Sequence, residues 1–304
     1  MHTLAIVGCG NIGSRLLQSA SRAPVDGLHV WAVEPHASAR ELAKERFAET
    51  SDRGHTLHAV ESVSALPPAL DLLVIATSAD TRMSALDAAL AITAPRAVLL
   101  EKTLWTKLSD YPRALEELRG APVFVNTTRN IWPGYLALRD DLAETPLHYK
   151  ASGSDWNLAS NAIHFLSVAE LLAGSHVTDI TLSDTQARDA KREGYRDLTG
   201  TLHATLADGS TVTLRSHTEP GDPLTVTLRQ DNRTRTIREG AQEIDGQPFP
   251  MLHASQIGEE LARLVTTATS GLPTLADSTR LHEVFLHALA PHIGGTDPDL
   301  VMVT

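Results

Sequence analysis

The sequence predicts an α/β chain. A doubly wound parallel sheet comes first, and an α+β region with a large, mostly antiparallel sheet follows it. Three observations carry this. Short apolar runs alternate with helical patterns from residue 2 to about 126. The first such run feeds directly into Gly8, Gly10 and Gly13, a G-x-G-x-x-G turn. Beyond Val177 the apolar runs give way to alternating polar and apolar residues joined by Asp208-Gly209 and Asp231-Asn232, which favour tight hairpins.

Thr3–Val7 is nearly all apolar, as a strand buried on both faces must be, and Ser14–Arg22 continues as a helix. Between them Gly8 permits the tight turn, Gly10 leaves room for a pyrophosphate against the backbone, and Gly13 lets helix and strand approach closely. The helix N-terminus offers unpaired N–H groups and a positive field to phosphates. The next strand, Leu28–Val33, ends at Glu34, about 20 residues beyond Gly13, where a carboxylate accepts hydrogen bonds from an adenosine ribose. A dinucleotide site is expected, and the carboxylate there favours NAD over NADP, with Arg40 or His36 as the phosphate ligand if NADP is taken instead.

The remaining elements follow in order. Ala37–Glu49 has helix composition with Leu42 and Phe47 facing inward, and His55–Val60 is a third strand. Leu70–Thr77 reads as a central strand, Thr81–Ile92 as a helix with Met83, Leu86 and Leu90 on one side, and Ala97–Leu100 as a strand ending at Glu101-Lys102. Lys107–Arg119 is helical and Pro122–Asn126 a sixth strand. Then come helices at Trp132–Leu142 and Trp156–Leu172. Strands follow at Val177–Ser183, Gly200–Leu206, Thr211–Ser216, Leu224–Arg229 and Thr234–Arg238, and helices close the chain at Leu252–Thr267 and Thr279–Leu289. The domains expected are 1–126 and 127–304, the C-terminal helices returning to the first. The strands from Val177 to Arg238 are expected to leave one face carrying Val, Leu, Ile and Thr, on which a twin packs to give a homodimer or a tetramer of dimers. The alternative is a solvated polar face.

The chain has 304 residues and a formal net charge of −11, which argues against non-specific binding to nucleic acid or to an anionic membrane. No apolar run approaches the roughly 18 residues of a membrane span. The single cysteine, Cys9, allows no internal disulfide, and the first strand begins too early for a signal peptide, so a cytoplasmic protein is expected. Cys9 reads as a packing residue in the turn.

Two side chains stand out for chemistry. Lys102 follows the fifth strand directly, where ligands of open parallel sheets bind; it either hydrogen-bonds a substrate oxygen or is a solvated lysine paired with Glu101. His164 shares a stretch of helix with Asn157, Ser160 and Asn161, which makes either an acid–base site or a packed polar network. Arg129, Trp132 and Tyr135 cluster after the sixth strand. Arg188, Lys191, Arg192 and Arg196 surround Tyr195 in a loop suited to an anionic substrate group, a subunit contact or plain solvation. The histidines show no metal-ligand spacing, so no metal is expected.

Together these residues resemble the Gfo/Idh/MocA oxidoreductases, the glucose–fructose oxidoreductase and inositol dehydrogenase group. The resemblance rests on the N-terminal glycine motif, the strand ending at Ala76-Thr77, and Glu101-Lys102-Thr103 in place of Glu-Lys-Pro. Asn126 with Arg129 and the His164 helix followed by Gly174 complete it. It implies an N-terminal Rossmann domain, an α+β second domain whose sheet often makes the dimer interface, and hydride transfer between a nicotinamide and a sugar, cyclitol or nucleotide sugar. The residues it points to for the cofactor are Gly8, Gly10, Asn11, Ile12, Gly13, Glu34, Thr77, Ser78, Arg82 and Glu101. For the substrate they are Lys102, Arg129, Trp132, Asn157, Ser160, Asn161 and His164, with Lys102 and His164 catalytic. The family's acid one turn before the histidine is Ser160 here, and the histidine that often follows the fourth strand is Arg82, a contact for cofactor or a substrate anion. That missing acid keeps two other functions open: reduction of an imine or conjugated bond, and a non-catalytic nucleotide-binding regulator or scaffold.

Overall fold

The computed structural model describes residues 1–50, 53–295, 297 and 299–303. The chain divides into two compact units. The first comprises Met1–Trp105, Pro112–Asn126 and Leu252–Leu275; the second comprises Thr106–Tyr111, Thr127–Met251 and Ala276–Thr304.

In the first unit β1 (His2–Val7), α1 (Asn11–Ser21), β2 (Leu28–Val33), α2 (Ala37–Ala48), β3 (Thr56–Val60), β4 (Ala69–Ile75), α3 (Arg82–Leu90), β5 (Ala94–Leu100), α4 (Asp110–Glu117, its first two residues assigned to the second unit) and β6 (Val123–Val125) alternate as the sequence predicts. All six strands are parallel in the order β3-β2-β1-β4-β5-β6, so the chain reverses its direction of build between β1 and β4. That reversal opens a crevice at the carboxyl ends of the strands, beside the glycine turn. Leu4, Ala5 and Ile6 of β1 and Leu72, Leu73, Val74 and Ile75 of β4 are fully buried, which is why these runs carry no alternation.

The glycines of the turn answer to geometry. Gly8 has φ +88°, and a Cβ on Gly13 would lie 1.8 Å from the carbonyl oxygen of Gly8. Any side chain at Gly13 would therefore push α1 off β1. Cys9 is buried in the same turn, its thiol pushed up to about 12 by burial and by the nearby Glu34 charge, which leaves it protonated and inert. Phe47 is buried as predicted, but Leu42 is exposed because only Ala43 and Phe47 of α2 turn inward. The helix predicted over Lys107–Arg119 starts at Asp110. Before it Lys107 bridges Leu300, Leu108 and Ser109 form a turn, and the Val301 N–H reaches the Thr106 carbonyl at 2.7 Å.

The second unit contains α5 (Pro133–Asp141), β7 (His148–Ser154), α6 (Leu158–Ala173), β8 (Val177–Asp189), β9 (Arg196–Leu206), β10 (Thr211–His217), β11 (Thr225–Gln230), β12 (Arg233–Arg238), β13 (Glu243–Ile244) and β14 (Gln247–Pro248). These strands form one sheet in the order β14-β13-β12-β11-β7-β10-β9-β8, antiparallel except for the β7–β10 pair. Helix α6 lies against β9 and β10. Tyr149, Ala151, Leu198, Leu202, Val212, Leu214, Val226 and Leu228 are buried on that side.

Two readings of this region change. Strands β8 and β9 are longer than their apolar cores, so the cation-rich stretch is the tip and flanks of a hairpin rather than a loop. The sheet face away from α6 also carries no Val, Leu or Ile store. Those residues are already buried within the chain, and the outer positions are Lys150, Thr201, Thr205, Thr213, Arg215 and Thr227.

The last helices are α7 (Gly258–Thr267) and α8 (Leu275–Ile293). Helix α7 packs on α1, β1 and β4 in the first unit, where the Ser19 hydroxyl donates to the Ala254 carbonyl and accepts the Ile257 N–H. Val125 and Phe124 of β6 pair with Pro273 and Thr274, so a late segment closes that edge of the parallel sheet. Among the described residues no helix is long and apolar enough to cross a membrane.

Candidate functional site

The carboxyl edge of the parallel sheet is built around the start of α1. Gly10 precedes the helix, no side chain caps it, and the first intrahelical bond runs from the Ser14 N–H to the Gly10 carbonyl. The amides of the first turn therefore have no helical acceptor. Gly10, Asn11 and Ile12 are exposed, and a Cβ on Gly10 would meet nothing within 4 Å. The result is an open cradle of N–H groups with positive dipolar field, suited to a pyrophosphate.

Glu34 is 6% exposed and fixed. One carboxylate oxygen accepts the Cys9 N–H at 2.9 Å and the other accepts the His36 N–H at 3.1 Å. A carboxylate has about four lone-pair sites, so acceptor capacity remains beside the cradle. Arg40 spends one nitrogen on the carbonyls of Glu34 and Pro35, both at 2.6 Å, which closes the end of β2.

At the ends of β4, β5 and β6 the polar groups are more buried. Arg82 is 2% exposed and donates to the carbonyls of Thr77, Thr103 and Leu104, stapling the end of β4 to the segment after β5. Ser78 pairs its hydroxyl with Thr81 at 3.0 Å. Glu101 is buried and accepts the side-chain amide of Asn126. Burial pushes its carboxyl above the usual range, against the Asn126 hydrogen bond and the charges of Arg82 and Lys102. Lys102 follows, joined to Thr103 by a cis peptide bond. Among the described residues, Thr77 Oγ1, Thr103 Oγ1 and Asn126 Oδ1 are buried at the ends of these strands without a hydrogen-bond partner. A buried polar atom left open is one that a polar ligand can satisfy.

The second unit presents the start of α6. Asp155 and Asn157 both have positive φ, 48° and 60°, and Arg188 donates to the side chains of both. Asn161 turns its amide back onto the carbonyls of Trp156 at 2.8 Å and Asn157 at 3.2 Å. Ser160 donates to Asp197 at 2.8 Å, and the half-buried His164 follows one turn later. Arg188 is thus engaged with Asp155 and Asn157. Arg196 is engaged with Asp189, and Arg192 lies over the Tyr195 ring at 5.7 Å.

Arg129 lies deeper in this unit than its sequence neighbours imply. Its guanidinium sits 5.0 Å from the Trp132 ring centre and 4.4 Å from that of Phe165, and it forms a two-pronged pair with Glu239. Tyr135 donates to the same carboxylate at 2.8 Å. Burial opposes the Arg129 charge, but Glu239 outweighs it and holds the guanidinium above its ordinary range. Tyr135 and Tyr149 are both pushed up, burial first, with Glu239 adding to it. The residues sequence reasoning missed are Asp197 and Glu239. Each lies on a different element far along the chain from its partner, and neither lies in a motif.

No protein-family model and no curated protein matches the chain. Among solved structures it is similar over nearly its full length to several dehydrogenases. The myo-inositol dehydrogenase of Lactobacillus casei in complex with NAD(H) and myo-inositol superposes with a TM-score of 0.70 at 16% identity, covering 98% of each chain. The UDP-N-acetylglucosamine 3-dehydrogenase of Acidithiobacillus ferrooxidans gives 0.68 at 17% identity, covering 95% of this chain and 96% of that one. An Agrobacterium radiobacter oxidoreductase in complex with NAD+, L-tartaric acid and magnesium gives 0.70 at 15%, covering 94% and 95%. The chain therefore has the fold of these enzymes, the one that the Gfo/Idh/MocA resemblance implies.

The buried Glu101 sets a pH dependence. Its folded-state pKa lies above the ordinary 4.5, so the folded chain holds that proton more tightly than the unfolded chain. Its contribution to stability is complete below 4.5 and is lost as pH rises through the raised value. Glu101→Gln keeps an acceptor for Asn126 and escapes the loss. The melting temperature of the variant relative to wild type should climb as pH rises from 4.5; a constant difference from pH 4.5 to 8 contradicts this.

Proposed function

We propose that the protein is an NAD-dependent oxidoreductase that moves a hydride between the nicotinamide and a carbon bearing the hydroxyl or carbonyl of a sugar, cyclitol or nucleotide sugar. The observation that carries this reading is the uncapped start of α1 beside a buried Glu34 whose orientation two backbone amides fix. The nicotinamide, when bound, supplies the hydride acceptor or donor. The open amides of Asn11, Ile12 and Gly13 hold the pyrophosphate, and Glu34 takes the ribose hydroxyls. Thr77, Ser78, Glu101 and Asn126 line the nicotinamide end, where the open oxygens of Thr77, Thr103 and Asn126 can accept hydrogen bonds. The dehydrogenases of matching fold, one in complex with myo-inositol and one a UDP-N-acetylglucosamine 3-dehydrogenase, support this substrate class.

In this reading Lys102 hydrogen-bonds the substrate oxygen and stabilises negative charge on it as the carbon changes oxidation state. His164 takes the hydroxyl proton during oxidation and returns it during reduction. Asn157, Ser160 and Asn161 orient the substrate at the start of α6. Arg82 holds the cofactor edge together. Arg129 and Trp132 support α6 from behind, since the Arg129 charge is committed to Glu239. The threonine-rich outer face of the large sheet is the surface for a homodimer, and the single buried cysteine fits a cytoplasmic protein.

Three measurements test the reading. NADH should bind more tightly than NADPH by about tenfold or more, because a 2′-phosphate would face the Glu34 carboxylate; equal or tighter NADPH binding in a fluorescence titration contradicts it. With NAD+ and a panel including myo-inositol and UDP-N-acetylglucosamine, wild type should produce NADH. Lys102→Met and His164→Asn should each slow the chemical step by about 10²-fold while leaving NADH binding near wild type; full turnover in both variants removes the assignment. Light scattering at micromolar concentration should give a dimeric or tetrameric mass, and a monomer rules out the sheet contact.

A further inference from the structure

The acid that the resemblance places at position 160 is absent from the sequence there, yet a carboxylate reaches that position from another strand. Asp197 is the second residue of β9 and is 1% exposed. One of its oxygens accepts the N–H of Ala159 at 2.9 Å and of Leu198 at 2.7 Å; the other accepts the Ser160 hydroxyl at 2.8 Å. An ionised carboxylate only accepts, so the Ser160 proton points at Asp197 and the serine oxygen turns its lone pairs to its other neighbours. Ser160 and His164 are four residues apart on α6 and share a face. The negative end of the polarised hydroxyl, with the Asp197 charge behind it, therefore lies on the side of the helix that carries the imidazole.

We propose that Asp197, acting through Ser160, is the positioning acid for His164: it stabilises the imidazolium in the way an aspartate at position 160 would, from a strand rather than from the helix itself. This rests on the reading of His164 as the proton carrier. The charges on the elements packed on α6 in this unit are answered by other groups: Arg188, opposite Asp197 in the β8–β9 register, donates to Asp155 and Asn157 just before α6, and Arg196 of β9 pairs with Asp189. The turn before α5 brings Arg129, cancelled by Glu239, and α5 brings Tyr135 on the same carboxylate. Strand β10 carries Arg215 and His217 at positions alternating with its buried residues, so on the far side of the sheet. On α6 itself Glu170 is paired with Arg280. Asp197 itself accepts from N–H and O–H dipoles, and the guanidinium of Arg188 opposite it is spent on Asp155 and Asn157, so the carboxylate acts on a neighbouring imidazole.

The substitution Asp197→Asn separates this role from helix capping. The Asn carbonyl still accepts the Ala159 and Leu198 amides, but its NH2 group now donates to Ser160 and reverses the hydroxyl. The test follows the imidazole of His164 by NMR in the 15N-labelled chain without cofactor, the signal being assigned by its loss in His164→Asn. The titration midpoint should fall by about half a pH unit or more in Asp197→Asn. It should fall less in Ser160→Ala and recover when Ser160→Asp is added to Asp197→Asn. Melting temperatures report whether each variant folds. Should Asp197→Asn not fold, Ser160→Ala decides. An unchanged midpoint in the folded variants overturns the proposal. NADH titration of the same samples is separate: failure to bind NADH removes the oxidoreductase reading, while the imidazole midpoint still reports on Asp197.

Discussion

The hydrogen bond from the Cys9 amide to Glu34 is the contact on which the rest of the cofactor edge depends. It ties the middle of the glycine turn to the end of the neighbouring strand, so two loops that would move independently have one geometry. Glu34 is almost fully buried there, and the N–H groups of Cys9 and His36 compensate its desolvation. A carboxylate held this way costs a ligand no rotamer entropy when it binds. The start of α1 is thus set in place relative to β2 by the chain itself.

Much of the first unit is legible because buried parallel strands must be continuously apolar, and Leu4–Val7 and Leu72–Ile75 are. Local pattern likewise marks Gly8, Glu34, Glu101 and the His164 helix, since a turn, a strand end and a helical face each leave a short-range trace. The second unit is less legible at its edges. Strand β8 runs on to Asp189 through Asp184, Thr185 and Gln186, whose outward positions place no demand for apolar residues. Backbone pairing with β9 sustains that half of the strand, and pairing leaves no composition behind.

Long-range polar partners leave still less trace. Ser160 and Asp197 are 37 residues apart, and Arg129 and Glu239 are 110 apart; nothing periodic announces either meeting. Both are cases where a buried charge is satisfied by a group on a different element. Arg129 is read from sequence as a substrate contact after the sixth strand. Its position between two aromatic rings, answered by a carboxylate, makes it an internal brace of the second unit. A charged residue next to aromatics in a sequence is therefore as compatible with a sealed ion pair as with an open binding surface.

The discontinuity of the first unit bears on how the chain is made. Its parallel sheet is encoded by residue 126, yet α7 and the Pro273–Thr274 segment that covers the edge of β6 come from the last fifth of the chain. A ribosome emits these pieces seconds apart at about 5–20 residues per second. During that interval the apolar faces of α1, β1 and β4 that α7 covers, and the open edge of β6, are exposed to solvent and to other chains. Newly made protein therefore passes through a period in which the strands of the first sheet are all synthesised but lack their last cover.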